Sequence, residues 1–290
     1  MKKILVIGGR GLLGSALIER GQSEFEIIGT TNKTLEPNYA KLEVRDRYSV
    51  FRLVNKIRPD IVIDTHTVHT DFCETHKEEA WEINVSGTRN VVEAAADVGA
   101  KYIFISSEDI FDGTKPKYYE TDEPKPINYY GKTKAIAERV VTTLNSNFII
   151  VRSSFLYGPK SSTGKKSFLF FIIEQLRKEK RIDVMTDEFG SPTFSYNLAD
   201  VILKLCKLNA RGIFHVVGSD NISKYEFAKL IARNFNLNES LIRPTTRNNI
   251  IKTAPRAQRI ILDTTKVKRI AKIKLLGANE GLSKLSKMGI

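Results

Sequence analysis

At 290 residues and 41% hydrophobic composition, the chain can bury one large core or two modest ones and has the make-up of a soluble globular protein. Its net charge of +13 is dispersed, and no recognised nucleic-acid motif accompanies it; the basic residues, including Lys266-Val-Lys-Arg269, are read as a solvated surface that favours an anionic cofactor and substrate, not as a nucleic-acid site. Two distant cysteines, Cys73 and Cys206, argue against a disulfide scaffold and suit a reducing cytoplasm; no stretch is long enough to span a membrane, and the apolar run after Met-Lys-Lys is too short for a signal peptide.

The first element is a short apolar run rich in β-branched residues, Lys3-Ile-Leu-Val-Ile7, the signature of a buried parallel strand. It enters Gly8-Gly9-Arg10-Gly11-Leu12-Leu13-Gly14 and then a helical pattern from Ser15. Strand, glycine loop and helix form the setting in which backbone N–H groups at a helix N-terminus hold a pyrophosphate. Two glycine registers fit, Gly9-Gly11-Gly14 and Gly8-Gly11-Gly14, and spacing does not choose between them. Further strands are predicted at 26–29, 60–64, 101–105 and 147–151, with helices over 47–57, 78–98 and 127–144 between them. Repeated β-α units of this length predict a doubly wound parallel α/β sheet with ligands at the carboxyl ends of its strands. After Arg152 the pattern loosens. Gly158-Pro159 and Ser161-Ser-Thr-Gly164 read as loops, 168–173 opens an apolar helix, 197–208 and 223–235 are helical, and 212–217 is a strand that rejoins the sheet. The expected division is a dinucleotide-binding unit of 1–155 with about 194–217 and 257–276, and a smaller discontinuous C-terminal substrate lobe of about 156–193, 218–256 and 277–290.

Tyr130-Gly-Lys-Thr-Lys134 places a phenol and an ammonium one helical turn apart on one face. A cation beside a phenol favours the phenolate, so the expectation is a Tyr130 pKa pulled below its usual value of about 10. Such a phenol can hand a proton to a carbonyl oxygen near neutral pH. Ser106 and Ser107 end the strand that precedes it, where one hydroxyl can bond a substrate oxygen; alone, the pair would read as a turn cap.

Together these residues resemble the extended short-chain dehydrogenase/reductases. Ile105-Ser-Ser-Glu-Asp-Ile-Phe-Asp-Gly113 is similar to the I-S-T-D-Y-V-F-D-G of the dTDP-4-dehydrorhamnose reductase family, and Tyr130 to Lys134 matches its Y-G-x-T-K. Val151-Arg-Ser-Ser-Phe-Leu-Tyr-Gly158 is similar to L-R-T-S-W-V-Y-G. Phe189-Gly-Ser-Pro-Thr193, Gly212-Ile-Phe-His215, Tyr225-Glu-Phe-Ala228, Pro255-Arg256 and Leu262-Asp-Thr-Thr265 extend the resemblance over nearly the whole chain.

The resemblance implies a Rossmann fold and hydride transfer from a reduced nicotinamide to the C4 ketone of dTDP-4-dehydro-L-rhamnose. Tyr130 would donate the proton, Lys134 would bind the nicotinamide ribose and tune Tyr130, and Ser107, in a threonine position, would bond the substrate oxygen. Glu108 stands for an aspartate that orients the sugar, and Phe155 for a tryptophan that packs on it, keeping the aromatic face without the indole N–H. Asp109 replaces a tyrosine. Arg256 and Lys165 are candidates for the nucleotide by charge. The implied cofactor residues are Gly8, Arg10, Gly11, Leu12, Leu13, Gly14, Thr31, Asn32, Thr65, His66, Thr67, Tyr130 and Lys134. The end of the second strand, Thr30-Thr31-Asn32-Lys33, has no carboxylate for a ribose 2′-hydroxyl, and Arg10 can reach a 2′-phosphate, so NADP(H) is expected over NAD(H). The expected partners are a nucleotide sugar and a second copy of the chain. His66, His69, Cys73 and His76 have metal-ligand chemistry, but their placement after a strand and in a helix start favours a structural role, and no metal is expected. The resemblance extends to nucleotide-sugar epimerases and dehydratases, and to the NADP-binding regulatory β subunit of methionine adenosyltransferase; no separate epimerase base stands out.

Overall fold

The computed structural model describes residues 1–32, 39–159, 167–250 and 253–289. Its elements follow in chain order. The first half contains β1 (Lys3–Ile7), α1 (Leu12–Gly21), β2 (Glu26–Thr31), β3 (Tyr39–Lys41), α2 (Arg47–Ile57), β4 (Ile61–Asp64), α3 (Thr70–Thr75), α4 (Lys77–Trp81), a π turn (Glu82–Gly87), α5 (Thr88–Asp97), β5 (Lys101–Ser107), α6 (Tyr129–Leu144) and β6 (Phe148–Ser153). The second half contains β7 (Leu156–Tyr157), α7 (Phe168–Arg177), β8 (Ile182–Met185), β9 (Phe189–Gly190), β10 (Thr193–Phe194), α8 (Ser195–Lys207), β11 (Gly212–His215), β12 (Ile222–Ser223), α9 (Lys224–Asn234), β13 (Ile242–Thr245), α10 (Thr265–Ala271) and α11 (Ala278–Ser286).

Seven strands form the central sheet in the order β11-β6-β5-β4-β1-β2-β3, with every pair parallel. The chain runs outward from β1 through β2 to β3, then returns to β4 on the other side of β1. The crevice between β1 and β4 is therefore the point where the winding reverses, the usual ligand position in such sheets. Alternation along β1 divides the core. Ile4 and Val6 face α1, α8 and α10, with Leu17, Leu198, Ile202 and Val267. Leu5 and Ile7 face α2, α5 and α6, with Val54, Val91, Ala137 and Val141. A third cluster joins α7, α9 and α11 through Leu169, Ile172, Phe227, Ile231 and Leu282, with Val184 of β8 and Ile242 of β13.

The predicted doubly wound α/β sheet is present, and residues 212–215 do rejoin it, beside β6 at one edge. The 47–57 helix has the predicted bounds; Asp46 caps it by accepting from the Ser49 N–H at 3.1 Å. One expectation fails. The single 78–98 helix is interrupted by the π turn, because His66 Nε2 bonds the Ile83 carbonyl at 2.8 Å and Asn84 bonds Thr67, Val68 and Thr133. The three-residue β3 was not anticipated; it is too short for its side-chain alternation to register.

Candidate active site at the switch point

Gly8 follows β1 at φ +76, a conformation that favours glycine. A Cβ there would also lie 3.0 Å from Thr65 Oγ1 and 3.1 Å from the His66 nitrogen, so the β1 and β4 ends approach closely. Gly11 is the N-cap of α1 and has no side chain to cap the first-turn N–H groups. Gly11, Leu12 and Leu13 line one cavity, while Gly8, Arg10 and Gly11 line a second. Gly14 faces inward, where a Cβ would meet the Gly8 carbonyl oxygen at 2.4 Å and Gly9 Cα at 2.7 Å. Gly9 packs instead against Gly29 and Tyr39. Gly8 and Gly11 thus face the cavities, while Gly9 and Gly14 are packed against neighbouring chain.

The second cavity, of about 310 Å³, is lined by Thr31, Asn32, Thr65, His66 and Thr67 as well as Gly8 and Arg10. Glu43, Arg45 and Glu79 also line it, a mixed-charge wall that the sequence did not reveal. The Glu43 carboxyl is held below its usual range by hydrogen bonds from Arg45, despite some burial. Lys33 lies outside the described residues.

The first cavity, of about 450 Å³, brings Ser107 and Tyr130 together with the α1 N-terminus, Thr65, Thr67 and Phe155. The Y-G-x-T-K run has a local reason at each step. Asn128 caps α6 by accepting from the Gly131 N–H at 2.7 Å. A Cβ on Gly131 would fall 1.9 Å from the Asp109 carbonyl oxygen, so only glycine lets α6 seat against the segment after β5. Thr133 donates to the Tyr130 carbonyl at 2.7 Å and accepts from Asn84 at 3.0 Å, tying α6 to the π turn. Ser107 Oγ caps a turn by accepting from the Asp109 N–H at 3.2 Å, and Ser107 also lines the cavity.

The electrostatics correct one expectation. Burial pushes the Tyr130 phenol above its usual range, Asp109 and Cys73 add to this, and the Thr67 and Ser107 hydroxyls oppose it. Lys134 is not among the leading causes of that shift. Lys134 is 2% exposed, its Nζ lies 4.0 Å from the centre of the Phe104 ring, and it lines neither cavity. Burial lowers its pKa to about 8, opposed by Asp64, Glu138 and Cys73. Lys134 Nζ rests on Phe104, and the carboxylates that act on it are Asp64 of β4 and Glu138, one turn further along α6.

A third cavity, of about 150 Å³, is lined by Glu108, Phe155 and Arg256, joined by Glu188 and Lys224. Glu108 Oε2 is buried with no hydrogen-bond partner. Burial raises the Glu108 carboxyl to about 8, Ser154 and Lys224 oppose this, and Asp109 adds to it. It is therefore a neutral acid at pH 7, able to donate. Phe155 adopts φ +37, an uncommon conformation for a bulky residue, held by edge packing on Phe227 at 5.2 Å. Arg256 reaches Asp71 at 3.3 Å. Lys165 and Ser161 to Gly164 lie outside the described residues.

The four metal-type residues serve separate ends. His66 pairs with Asp64, His69 caps α3 by accepting from the Phe72 N–H at 3.3 Å, Asn84 donates to Cys73 at 3.6 Å, and His76 stacks on Phe72 at 4.4 Å. Among the described residues, no three His, Cys, Asp or Glu side chains converge as a metal site, and no helix is long and apolar enough to cross a membrane.

Comparison with known proteins gives this architecture a context. Methionine adenosyltransferase 2 subunit beta of Rattus norvegicus is 31% identical over 278 residues, covering 93% of this chain and 82% of that protein. The dTDP-4-dehydrorhamnose reductase of Aggregatibacter actinomycetemcomitans is 28% identical over 287 residues, covering 93% of each. Among solved structures, the dTDP-4-dehydrorhamnose reductase of Bacillus anthracis in complex with NADP superposes with a TM-score of 0.91 at 29% identity, covering 99% of each chain. The RmlD substrate binding domain model matches residues 1–288, and the chain belongs to that family.

Proposed function

We propose that this protein is an oxidoreductase that uses NADPH to reduce the C4 ketone of dTDP-4-dehydro-L-rhamnose to dTDP-L-rhamnose. The observation that carries this reading is one cavity walled by Gly11, Leu12 and Leu13 at the start of α1 and by Ser107 and Tyr130 opposite them. A dinucleotide fits the residues present. A Cβ at Gly8 or Gly11 would sit tightly, 3.0–3.2 Å from Thr65 and His66 and 3.2 Å from the Gly8 carbonyl oxygen respectively, and Ser106 Oγ and Ser153 Oγ in the cavity wall are buried without a partner. The bound nicotinamide would supply the hydride. Gly8, Gly11, Leu12, Leu13 and Gly14 would hold its pyrophosphate at the helix N-terminus, and Arg10, Thr31 and Asn32 the adenosine end. Thr65, His66 and Thr67 would wall the crevice.

Tyr130 would give its hydroxyl proton to the oxygen that becomes the C4 alcohol. Its raised pKa keeps that proton in place until negative charge develops on the substrate. Ser107 Oγ would bond the same oxygen and polarise the ketone. Neutral Glu108 would donate to a sugar oxygen, Phe155 would present its ring face, and Arg256 would meet the nucleotide phosphates. Residues about 156–193, 218–256 and 277–290 would form the substrate lobe. NADP(H) is favoured over NAD(H) because no carboxylate ends β2 and Arg10 stands at that wall; the NADP complex of the Bacillus anthracis relative supports the choice.

The methionine adenosyltransferase β subunits support a second reading, a regulatory NADP-binding subunit, since they align over 93% of this chain. One assay separates the two. Purified protein is mixed with NADPH and dTDP-4-dehydro-L-rhamnose, and the loss of reduced-cofactor absorbance is followed. Turnover that disappears in Tyr130→Phe supports the reductase. Tight NADPH binding without turnover favours the regulatory reading.

A further inference from the structure

The third cavity adjoins the first, since Asp109 and Phe155 line both. Its volume of about 150 Å³ falls below the roughly 300–1,000 Å³ of sites that enclose a whole ligand, so it takes part of one. Lys224 and Glu188 stand in its wall, and local structure fixes them there. β12 pairs antiparallel with β9, with Ser223 opposite Phe189. Ser223 caps α9 by accepting from the Glu226 N–H at 3.1 Å, and the Glu226 carboxylate accepts from the Ser223 N–H at 2.8 Å. Lys224 opens α9, and its N–H donates to the Glu188 carbonyl at 2.9 Å. The same two residues meet again through their side chains, where Lys224 Nζ pairs with Glu188 Oε1. The ammonium also lies 5.7 Å from the centre of the Phe155 ring and 5.9 Å from that of Phe168.

We propose that Lys224, with Glu188 as its fixed counter-ion, recognises the ring hydroxyls of the substrate sugar next to its reacting carbon. This rests on the reductase reading, which sets C4 against Ser107 and Tyr130 and so directs the neighbouring hydroxyls past Phe155 into the third cavity. The ion pair is largely withdrawn from water, its side chains 22% and 5% exposed. Such withdrawal costs stability that packed apolar residues of the same size do not, so its place in a cavity wall points to ligand contact. A hydroxyl both donates and accepts; the ammonium supplies donors and the carboxylate supplies acceptors, so the pair matches it. A phosphate only accepts, and here it would meet the carboxyl groups of Glu188, Glu108 and Asp109 in the same small space. Glu108 Oε2, buried without a partner among the described residues, is placed for a further ring oxygen. Phe155 gives the ring an apolar face.

The test reads binding and needs no turnover. The full chain, saturated with NADP⁺, is titrated in a calorimeter with dTDP and, separately, with dTDP-L-rhamnose. In the wild type the sugar is expected to tighten binding over dTDP alone. Lys224→Met keeps the apolar stem and removes the ammonium. It is expected to weaken dTDP-L-rhamnose binding by about 10- to 100-fold, the scale of a hydrogen bond to a charged group, with dTDP and NADP⁺ affinities unchanged. Unchanged dTDP-L-rhamnose affinity overturns the proposal. Equal weakening of dTDP overturns it too, because the ammonium then serves the nucleotide or the fold and not the sugar. Should Lys224→Met fail to fold, Lys224→Met combined with Glu188→Gln removes the orphaned carboxylate and is read by the same rule. A wild-type chain that binds neither compound overturns the reductase reading itself, and this assignment with it, before any variant is compared.

Discussion

Tyr130 and Glu108 show how burial sets the protonation of a site. Both acids are moved upward, chiefly because water is excluded from around them. Tyr130→Phe removes the proposed proton donor while keeping the ring, so turnover should fall by about 10²- to 10⁴-fold with NADPH affinity unchanged. Unaltered turnover would remove Tyr130 from the chemistry. Glu108 has a consequence for stability. Its folded-state pKa, about 8, lies above the ordinary 4.5, so the folded chain holds this proton when the unfolded chain has released it. The group's stabilising contribution is complete below 4.5 and is lost as pH rises toward 8, at most about 1.4 kcal/mol per pH unit. Glu108→Gln lacks this dependence, so urea unfolding should show the variant gaining on the wild type between those two values and the gap levelling off above. A gap that ignores pH would show that Glu108 ionises normally.

At the scale of elements, the site depends on close backbone approaches. Gly14 lets α1 lie against the β1 loop, and Gly131 lets α6 lie against Asp109. A methyl group at either position meets backbone, which cannot move aside as a flexible side chain does. Gly14→Ala and Gly131→Ala should each cost about 1–3 kcal/mol in urea unfolding. Gly14→Ala should also weaken NADPH binding, because it displaces the loop proposed to hold the pyrophosphate. Stability within error of the wild type would mean that these elements can separate without penalty. These elements were the most legible in the sequence. Strand, glycine loop and helix appear in β1 and α1 because local periodicity and turn chemistry dictate them. The π turn did not appear, because what stabilises it is the His66 bond to Ile83, formed between residues that only folding brings together.

Across the whole molecule, the proposed site joins the sheet to the segments that follow it. Ser107 and Tyr130 come from the sheet side, while Phe155, Ser167 and Phe170 close the other side of the same cavity. A dinucleotide that binds the folded chain must stabilise it. NADPH at a hundredfold excess over its dissociation constant should add about 2.7 kcal/mol and raise the unfolding temperature, with NADH less effective at equal concentration. An equal or larger shift with NADH would reverse the cofactor preference, and no shift with either would remove dinucleotide binding altogether.

The chain's own order of residues determined the winding of the sheet, the cradle loop and the motif tyrosine with its serine, since each follows from neighbours a few positions apart. It gave no sign of Glu43, Glu188 or Lys224 in the cavity walls, and suggested a phenol eased by its lysine. Tertiary packing decided those points. The protonation of a buried group depends on every charge and on all the water around it, and here burial, with Asp109 and Cys73, raises the Tyr130 phenol instead of easing it.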